Sequence, residues 1–510
     1  MACYAHAMND VLRRALDARV ADVLPEATPL HAAPVLSADV GRTVLLKRED
    51  LTPVFSFKLR GAYNRIAQLS DSERRAGVLA ASAGNHAQGV AYSAQRLGIA
   101  ARIVMPRTTP AIKVRAVERL GAQVDLTGDT YTEAAAACAL LAEETRMTLV
   151  PPYDDLDVIA GQGTIGLEIL RHAPRDLALI LVPVGGGGLA AGVASVVKAL
   201  RPSVRVLGVQ PDDSDAMTRS LAAGERIVLP SVGIFADGVA VKQVGVHTFA
   251  LCQRHLDGCL TVSIDEICAA IQAGFEDTRS ILEPSGALAI AGVRRLAERG
   301  ELPTGTIVAV ASGANMNFSR LGYIAERVQL GAHREAILAV TIPEQPGAFL
   351  AFCRTVGARN ITEFNYRLAG RDGAQIFVGI AVTGLEETAR LAAELTAAGY
   401  TCVDLSHDDL AKTHVRHMVG GRTAAVADEV LLSFEFPERP GALLQFLASL
   451  DPRWNISLFH YRNNGAAFGR VLCGLEVPRN ERGELHRRLD GLGFNYADES
   501  ENPAGRLFLQ

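Results

Sequence analysis

Four short segments hold residue types able to do chemistry. In Ser56-Phe57-Lys58-Leu59-Arg60-Gly61-Ala62 a lysine stands between apolar neighbours. An amine taken out of water loses its charge more readily and becomes a nucleophile toward carbonyl carbon, whereas the same lysine on a solvated surface does neither. Ser82-Ala83-Gly84-Asn85-His86-Ala87-Gln88-Gly89 follows an apolar run and opens a helical pattern. Small residues there let backbone N–H groups approach a ligand, and a helix start favours a carboxylate or phosphate. Plain capping by Ser82 or Asn85 would use the same residue types, and His86 could be a core or capping histidine. Gly185-Gly186-Gly187-Gly188-Leu189 joins the run Ile180–Val184 to a small-residue helix, Ala190 to Leu200, which suits a phosphate cradle of backbone donors. No Gly-Lys-Ser/Thr follows, which disfavours a nucleotide P-loop. Gly186-x-Gly188-x-x-Ala191 loosely fits a dinucleotide fingerprint, but the next strand ends in Gln210-Pro211-Asp212 without a clear ribose-binding acid. Lastly, Ala311-Ser312-Gly313-Ala314-Asn315 ends an apolar run in a polar turn.

The elements that must position these segments alternate. β-like runs at Thr43–Lys47, Gly77–Ala81, Ala101–Met105, Leu179–Val184, Val204–Gln210 and Thr306–Ala311 are separated by helical patterns, among them His86–Leu97 and Lys113–Leu120. Such alternation implies crossover units and parallel sheet covered on both faces. Ligands of such sheets bind at the carboxyl ends of strands, where all but the lysine segment lie.

The last third repeats. Phe436-Pro437-Glu438-Arg439-Pro440-Gly441-Ala442-Leu443-Leu444 echoes Ile342-Pro343-Glu344-Gln345-Pro346-Gly347-Ala348-Phe349-Leu350, and Asn455 to Arg462 echoes Asn360 to Arg367. Val471 to Leu475 echoes Ile376 to Ile380, all at an offset of 94 or 95 residues, so the region is a tandem duplication. Each copy reads as a split βαββαβ unit, with a helix from Leu385 to Ala398 in the first. One sheet face takes helices, and the other is expected to be free for another copy or a ligand. The boundary between the two halves of the chain falls at His333 to Glu335.

The chain has 510 residues, 49% hydrophobic and 21% charged, with a formal net charge of -5. That balance excludes a disordered chain and, with no basic run, argues against nucleic-acid binding. No apolar stretch approaches the ~20 residues of a membrane helix, and Met1 to Leu16 lacks the pattern of a signal peptide. The eight cysteines, with no Cys-x-x-Cys pair, read as reduced thiols of a cytoplasmic protein.

Taken together and in order, the segments at Ser56–Ala62, Ser82–Gly89, Gly185–Leu189, Glu283-Pro284-Ser285-Gly286-Ala287 and Ser312-Gly313 resemble the fold-type-II pyridoxal-phosphate enzymes, in the wording of the threonine/serine dehydratase branch. The duplicated third resembles the paired ACT-like regulatory domains of the long, biosynthetic threonine dehydratases (threonine ammonia-lyases). The resemblance implies an α/β chain: a pyridoxal-phosphate catalytic region of two parallel-sheet lobes at 1–332, then ferredoxin-like ACT-like domains at 336–409 and 431–502. It implies β-elimination of L-threonine, and of L-serine, to a 2-oxo acid and ammonia, without a metal ion. Lys58 would carry the cofactor and then serve as base at Cα. Gly185, Gly186, Gly187, Gly188 and Leu189 would hold its phosphate, and Asn85 its phenolic oxygen. The backbone of Ser82, Ala83, Gly84 and Asn85 would grip the substrate carboxylate, and Ser312 would face the pyridine nitrogen. Glu283 receives no role. Isoleucine would inhibit and valine oppose it, with Leu443, Leu444 and Leu447, beside Tyr366 and Tyr461, as the candidate effector pocket. A cytoplasmic homotetramer is expected.

A neutral hydroxyl at position 312 has a chemical consequence. It cannot hold a pyridinium protonated as a carboxylate would, so the ring is a weaker electron sink and prompt loss of a β-hydroxyl is favoured over transamination. Other readings of the same residues are β-replacement or racemisation on the same fold, an NAD-dependent amino-acid dehydrogenase using Gly186–Ala191, and a catalytically inert amino-acid sensor.

Overall fold

The computed structural model describes residues 10–509 except 332, 344–347, 358, 360, 367–373, 418–427, 438–453, 463–467 and 492–494. The chain divides into two compact units, Met1–Phe318 and Ser319–Gln510.

In the first unit, a six-stranded sheet runs in the order Leu30–Ala32, Val44–Arg48, Thr306–Ala311, Leu177–Pro183, Arg205–Pro211, Gly258–Val262. Only its first pair is antiparallel. Thr306–Ala311 is buried at every residue, as a central parallel strand covered on both faces must be. Its Val308 and Val310 join Ile180, Val182, Val206 and residues of the helix Gly188–Leu200 in the main core. A four-stranded parallel sheet, Gln123–Leu126, Ala101–Met105, Val78–Ala81, Thr148–Leu149, forms the smaller lobe around a core that includes Val78, Ala80, Val90 and Ile103. The expected strands are present to within two residues at each end. The segment after Ala81 becomes the helix Asn85–Leu97, and the one after the four glycines becomes Gly188–Leu200.

Two antiparallel four-stranded sheets make up the second unit, in the orders Ile361–Tyr366, Ala374–Ala381, Glu335–Ile342, Thr401–Asp404 and Asn455–Arg462, Phe468–Glu476, Glu429–Pro437, Asn495–Asp498. The duplication extends to a register irregularity, which lies between Ile361 and Glu363 in one copy and between Ile456 and Leu458 in the other. Along Glu335–Ile342 the side chains alternate. Ala336, Leu338, Val340 and Ile342 pack with Phe352, Val356, Leu391 and Leu395. Ile337 and Ala339 enter a second core with Phe377, Leu410, Leu431, Leu472 and Phe508.

That second core meets the expectation of a sheet face available to another copy, because Ile337, Ala339 and Phe377 of one copy share it with Leu431 and Leu472 of the other. The segment between the copies and the terminal helix Pro503–Phe508 also fill it, with Phe508 meeting Phe377 edge-to-face at 5.7 Å. Both lie outside the segments whose residues visibly repeat. The helix Arg320–Gly331 also belongs to this unit rather than to the first. Its Arg327 pairs with Asp409 at 2.5 Å and donates to Thr413, while Arg416 donates to the Glu326 carbonyl and to both carboxylate oxygens of Glu335. Among the described residues no helix is long and apolar enough to cross a membrane.

Candidate active site

The lysine segment is tied to the end of a central strand. The Phe57 N–H donates to the Ser312 carbonyl (3.1 Å), the Ala314 N–H donates to the Phe55 carbonyl (2.9 Å), and Ser56 bridges to Gly313. Phe55 takes a φ of 55°, a costly left-handed conformation for a bulky residue. Thr52 holds it there, since its carbonyl accepts from the Phe55 N–H and its hydroxyl both accepts from the Ser56 N–H and donates to the Ser56 carbonyl. The turn delivers Lys58 as the first residue of the helix Lys58–Ala67, half-buried, with its Nζ donating to the Pro152 carbonyl at 2.7 Å. Burial pushes its pKa down from 10.5 to about 8, against the opposing charge of Glu283.

Arg60, fully buried two residues further on, braces this helix. It donates to Glu49 (2.7 and 2.9 Å), Glu168 (2.6 and 2.9 Å), Thr28 and Thr164, while Lys47 pairs with Glu168. Glycine allows close packing on either side. A Cβ on Gly89 would come within 3.1 Å of the Lys58 backbone, and one on Gly161 within 2.6 Å of the Arg60 carbonyl.

Asn85 begins its helix with its side-chain Nδ2 donating to Glu283 Oε1 at 2.6 Å and its Oδ1 accepting from Asn315 Nδ2 at 2.7 Å. Glu283 is buried, and burial followed by the nearby charge of Asp237 raises its pKa against the hydrogen bonds from Ser285 and Asn85. Ser82 is anchored by its N–H to the Val104 carbonyl, and its hydroxyl accepts from the Gly84 N–H at 3.3 Å. Ala83 is half-buried, and a Cβ on Gly84 would meet nothing within 4 Å, so the loop faces open space. His86 is buried, its Nε2 donating to the Val150 carbonyl at 2.8 Å; burial and the Lys58 charge push its pKa down to about 3, so it is neutral.

The four glycines lie beyond Pro183, at the strand end adjacent to Ser312 in the sheet. A Cβ on Gly186 would sit 2.4 Å from the Tyr153 ring, and one on Gly185 2.9 Å from Val239 Cα. Gly187 has a φ of 99°, which favours glycine. The Thr248 hydroxyl donates to the Gly186 carbonyl at 2.6 Å, and Asp154 accepts from the N–H groups of Val246, His247 and Thr248, fixing that helix beside the loop. Leu189 is buried in the main core. The Ser312 hydroxyl, also buried, donates to the Ser285 carbonyl at 3.3 Å. Lys113 of the smaller lobe pairs with Asp237 at 2.7 Å, beside Val239 and Gly238, whose Cβ would lie 2.4 Å from Ser285 Oγ.

Residues from four sequence-distant segments are thus linked: the lysine turn to Ser312–Ala314, and Asn85 to Glu283 and Asn315. Pro152, Tyr153 and Asp154, absent from the sequence reading, bind or wall the lysine and the glycine loop; their only signal is a Pro-Pro turn after an apolar run. The candidate effector residues Leu443, Leu444 and Leu447 lie outside the described residues, as do the side chains of Tyr366 and Tyr461, whose backbones are in strands.

Residues 23–313 match the pyridoxal-phosphate dependent enzyme family, and residues 326–415 and 420–509 each match the C-terminal regulatory domain of threonine dehydratase. A biosynthetic L-threonine dehydratase of Burkholderia multivorans is 54% identical over 99% of this chain and 100% of its own length. The chain belongs to the pyridoxal-phosphate-dependent threonine dehydratase family. Among solved structures, a processed threonine deaminase isoform 2 from Solanum lycopersicum is 48% identical, with a TM-score of 0.61, over 63% of this chain and 93% of its own. Maize serine racemase is 32% identical, with a TM-score of 0.57, over 62% and 95%. The catalytic fold is therefore shared with racemases, and the paired regulatory domains mark the dehydratases.

Pyridoxal phosphate is the cofactor of this dehydratase family, and the residues fit it. An amine of lowered pKa stands at Lys58, and a glycine loop in which an added Cβ at Gly185, Gly186 or Gly187 would clash opens a helix whose first N–H groups have no intrahelical acceptor.

Proposed function

We propose that this enzyme eliminates water from L-threonine, and from L-serine, to an enamine that tautomerises and takes up water to give a 2-oxo acid and ammonia, 2-oxobutanoate in the case of threonine. The observation that carries this reading is the half-buried Lys58 amine, its pKa lowered to about 8, hydrogen-bonded to the Pro152 carbonyl and tied through its own turn to Ser312. We further propose 1–332 as the catalytic region and 336–409 and 431–502 as the regulatory domains.

Bound pyridoxal phosphate supplies the electron sink that acidifies the substrate Cα–H. Gly185 to Leu189 would hold its phosphate with backbone donors at a helix start. Asn85 would donate to its phenolic oxygen, and Lys58 would be its covalent anchor. The N–H groups of Ser82 to Asn85 bind the substrate carboxylate, fixing which Cα bond is broken. Lys58 Nζ, released, takes the proton from Cα, a task suited to an amine whose pKa lies near neutrality. The Ser312 hydroxyl, which would meet the pyridine nitrogen, brings no negative charge to keep that nitrogen protonated, which favours prompt loss of the β-hydroxyl over transamination.

The regulatory unit supports control by isoleucine as inhibitor and valine as its antagonist, because 2-oxobutanoate chemistry leads toward isoleucine. Such control requires a differential affinity of the effectors for two global states. A cytoplasmic homotetramer completes the reading.

The test is incubation with L-threonine alone. Equal amounts of 2-oxobutanoate and ammonia are expected, falling with isoleucine and recovering with valine. D-allo-Threonine without keto acid would make it a racemase, and an NAD requirement a dehydrogenase.

A further inference from the structure

We infer that Asn315 is a positioning residue for the reaction: its side-chain amide sets the orientation of the Asn85 amide, so that a donor and not an acceptor faces the phenolic oxygen of the cofactor. The inference rests on the role proposed above for Asn85.

The orientation follows from one unambiguous group. Asn315 Nδ2 lies 2.7 Å from the Val54 carbonyl, and a backbone carbonyl can only accept. The end of the Asn315 amide that faces it is therefore the NH2. That same nitrogen lies 2.7 Å from Asn85, so the end of Asn85 it meets must be the carbonyl oxygen, and the other end is the NH2. Both protons of Asn315 Nδ2 are then used, one in each bond.

Glu283, the other partner of Asn85, accepts from Nδ2 at 2.6 Å and favours the same orientation while it is ionised. The Asn315 amide, fixed by a backbone carbonyl, holds that orientation whatever the charge of Glu283. Asn315 is itself held in place, because the Ala314 N–H donates to the Phe55 carbonyl and the Met316 N–H to the Ala314 carbonyl. The amide thus joins the turn before Lys58, the end of the strand that carries Ser312, and the helix start in the smaller lobe.

Asn315→Asp keeps the size and replaces the donor with acceptors facing Val54 O and Asn85 Oδ1. Asn85 then turns its NH2 toward position 315 and presents its oxygen to the phenolic oxygen. The apo-protein is titrated with pyridoxal phosphate, and the absorption of the bound cofactor is followed against pH, in wild type, Asn85→Ala, Asn315→Asp and the double variant. Asn315→Asp is expected to raise the apparent pKa of the bound chromophore by about one unit and to weaken cofactor binding about tenfold. In the Asn85→Ala background it should add only the smaller shift due to its charge, and Asn315→Ala should add none. Asn315→Ala, which adds no charge, should shift the pKa in the same direction by less, and it carries the test if the aspartate variant does not fold.

A shift in Asn85→Ala but none in either Asn315 variant overturns the inference and leaves the Asn85 assignment standing. An equal shift from Asn315→Asp with and without the Asn85 amide also overturns it. No shift in Asn85→Ala overturns the assignment on which it rests.

Discussion

The Lys58 Nζ donates to the Pro152 carbonyl at 2.7 Å, a bond from the first residue of one helix to a loop that also carries Tyr153 over the glycine cradle. A carbonyl can hold the amine in place without supplying a charge to keep it protonated. Glu283 is the charge that opposes the effect of burial on this amine.

The first expectation concerns pH. Below about pH 8 the Lys58 amine carries a proton and cannot attack a carbonyl; above it the amine is free. Capture of pyridoxal phosphate by the apo-protein should therefore speed up as pH rises and level off above about 8, well below the ordinary lysine value of 10.5. Stopped-flow absorbance at fixed ionic strength measures it. Glu283→Gln removes the opposing charge and should bring the plateau to lower pH.

Arg60→Met should cost stability out of proportion to its packing. It leaves the buried Glu49 and the half-buried Glu168 with Lys47 as their cationic partner, and losing one partner of a buried ion pair costs about 3–5 kcal/mol. Arg60→Lys should recover little, because an ammonium cannot reproduce the forked bonds to both carboxylates. Denaturant unfolding of the apo-protein measures both; a loss within experimental error would remove the bracing role.

Much of the catalytic half was legible in the sequence because apolar runs ending in small polar residues mark strand ends, and strand ends of a parallel sheet are where ligands bind. The helix starts after Ser82 and after the four glycines followed from the same logic. Tyr153 and Asn315 were not legible as site residues. Their importance lies in what they meet across the fold, the Gly186–Gly188 backbone in one case and Asn85 with Val54 in the other, and no local periodicity encodes such pairs. The short strands Gln123–Leu126 and Thr148–Leu149 escaped for a different reason: both are half-exposed edges with too few apolar residues to stand out. The duplication was plain in the second half, but the short helices Asp409–Thr413 and Pro503–Phe508 that help fill the core between the copies lie beyond the segments whose residues visibly repeat.

Gly186→Ala should weaken cofactor binding through a clash with its own chain. The added methyl would lie 2.4 Å from the Tyr153 ring and must displace the ring or the loop. A loss of about tenfold or more in pyridoxal phosphate affinity is expected, equivalent to ~1.4 kcal/mol. Tyr153→Ala in the same chain should restore part of it. Unchanged affinity in the single variant would separate the loop from the cofactor.

Ser312→Asp should change both colour and rate. A carboxylate there would favour a protonated pyridine ring and lengthen the life of carbanion character at Cα. The absorption of bound cofactor should shift and elimination slow by about tenfold, a barrier increase of ~1.4 kcal/mol. The same spectrum and rate as the wild type would refute the pyridine assignment.

The most direct measurement is reduction of the cofactor-loaded enzyme with borohydride, followed by proteolysis and peptide mapping. The label should be found on Lys58 and lost, with nearly all turnover, in Lys58→Ala. Label on another lysine, or on none, would contradict the central assignment.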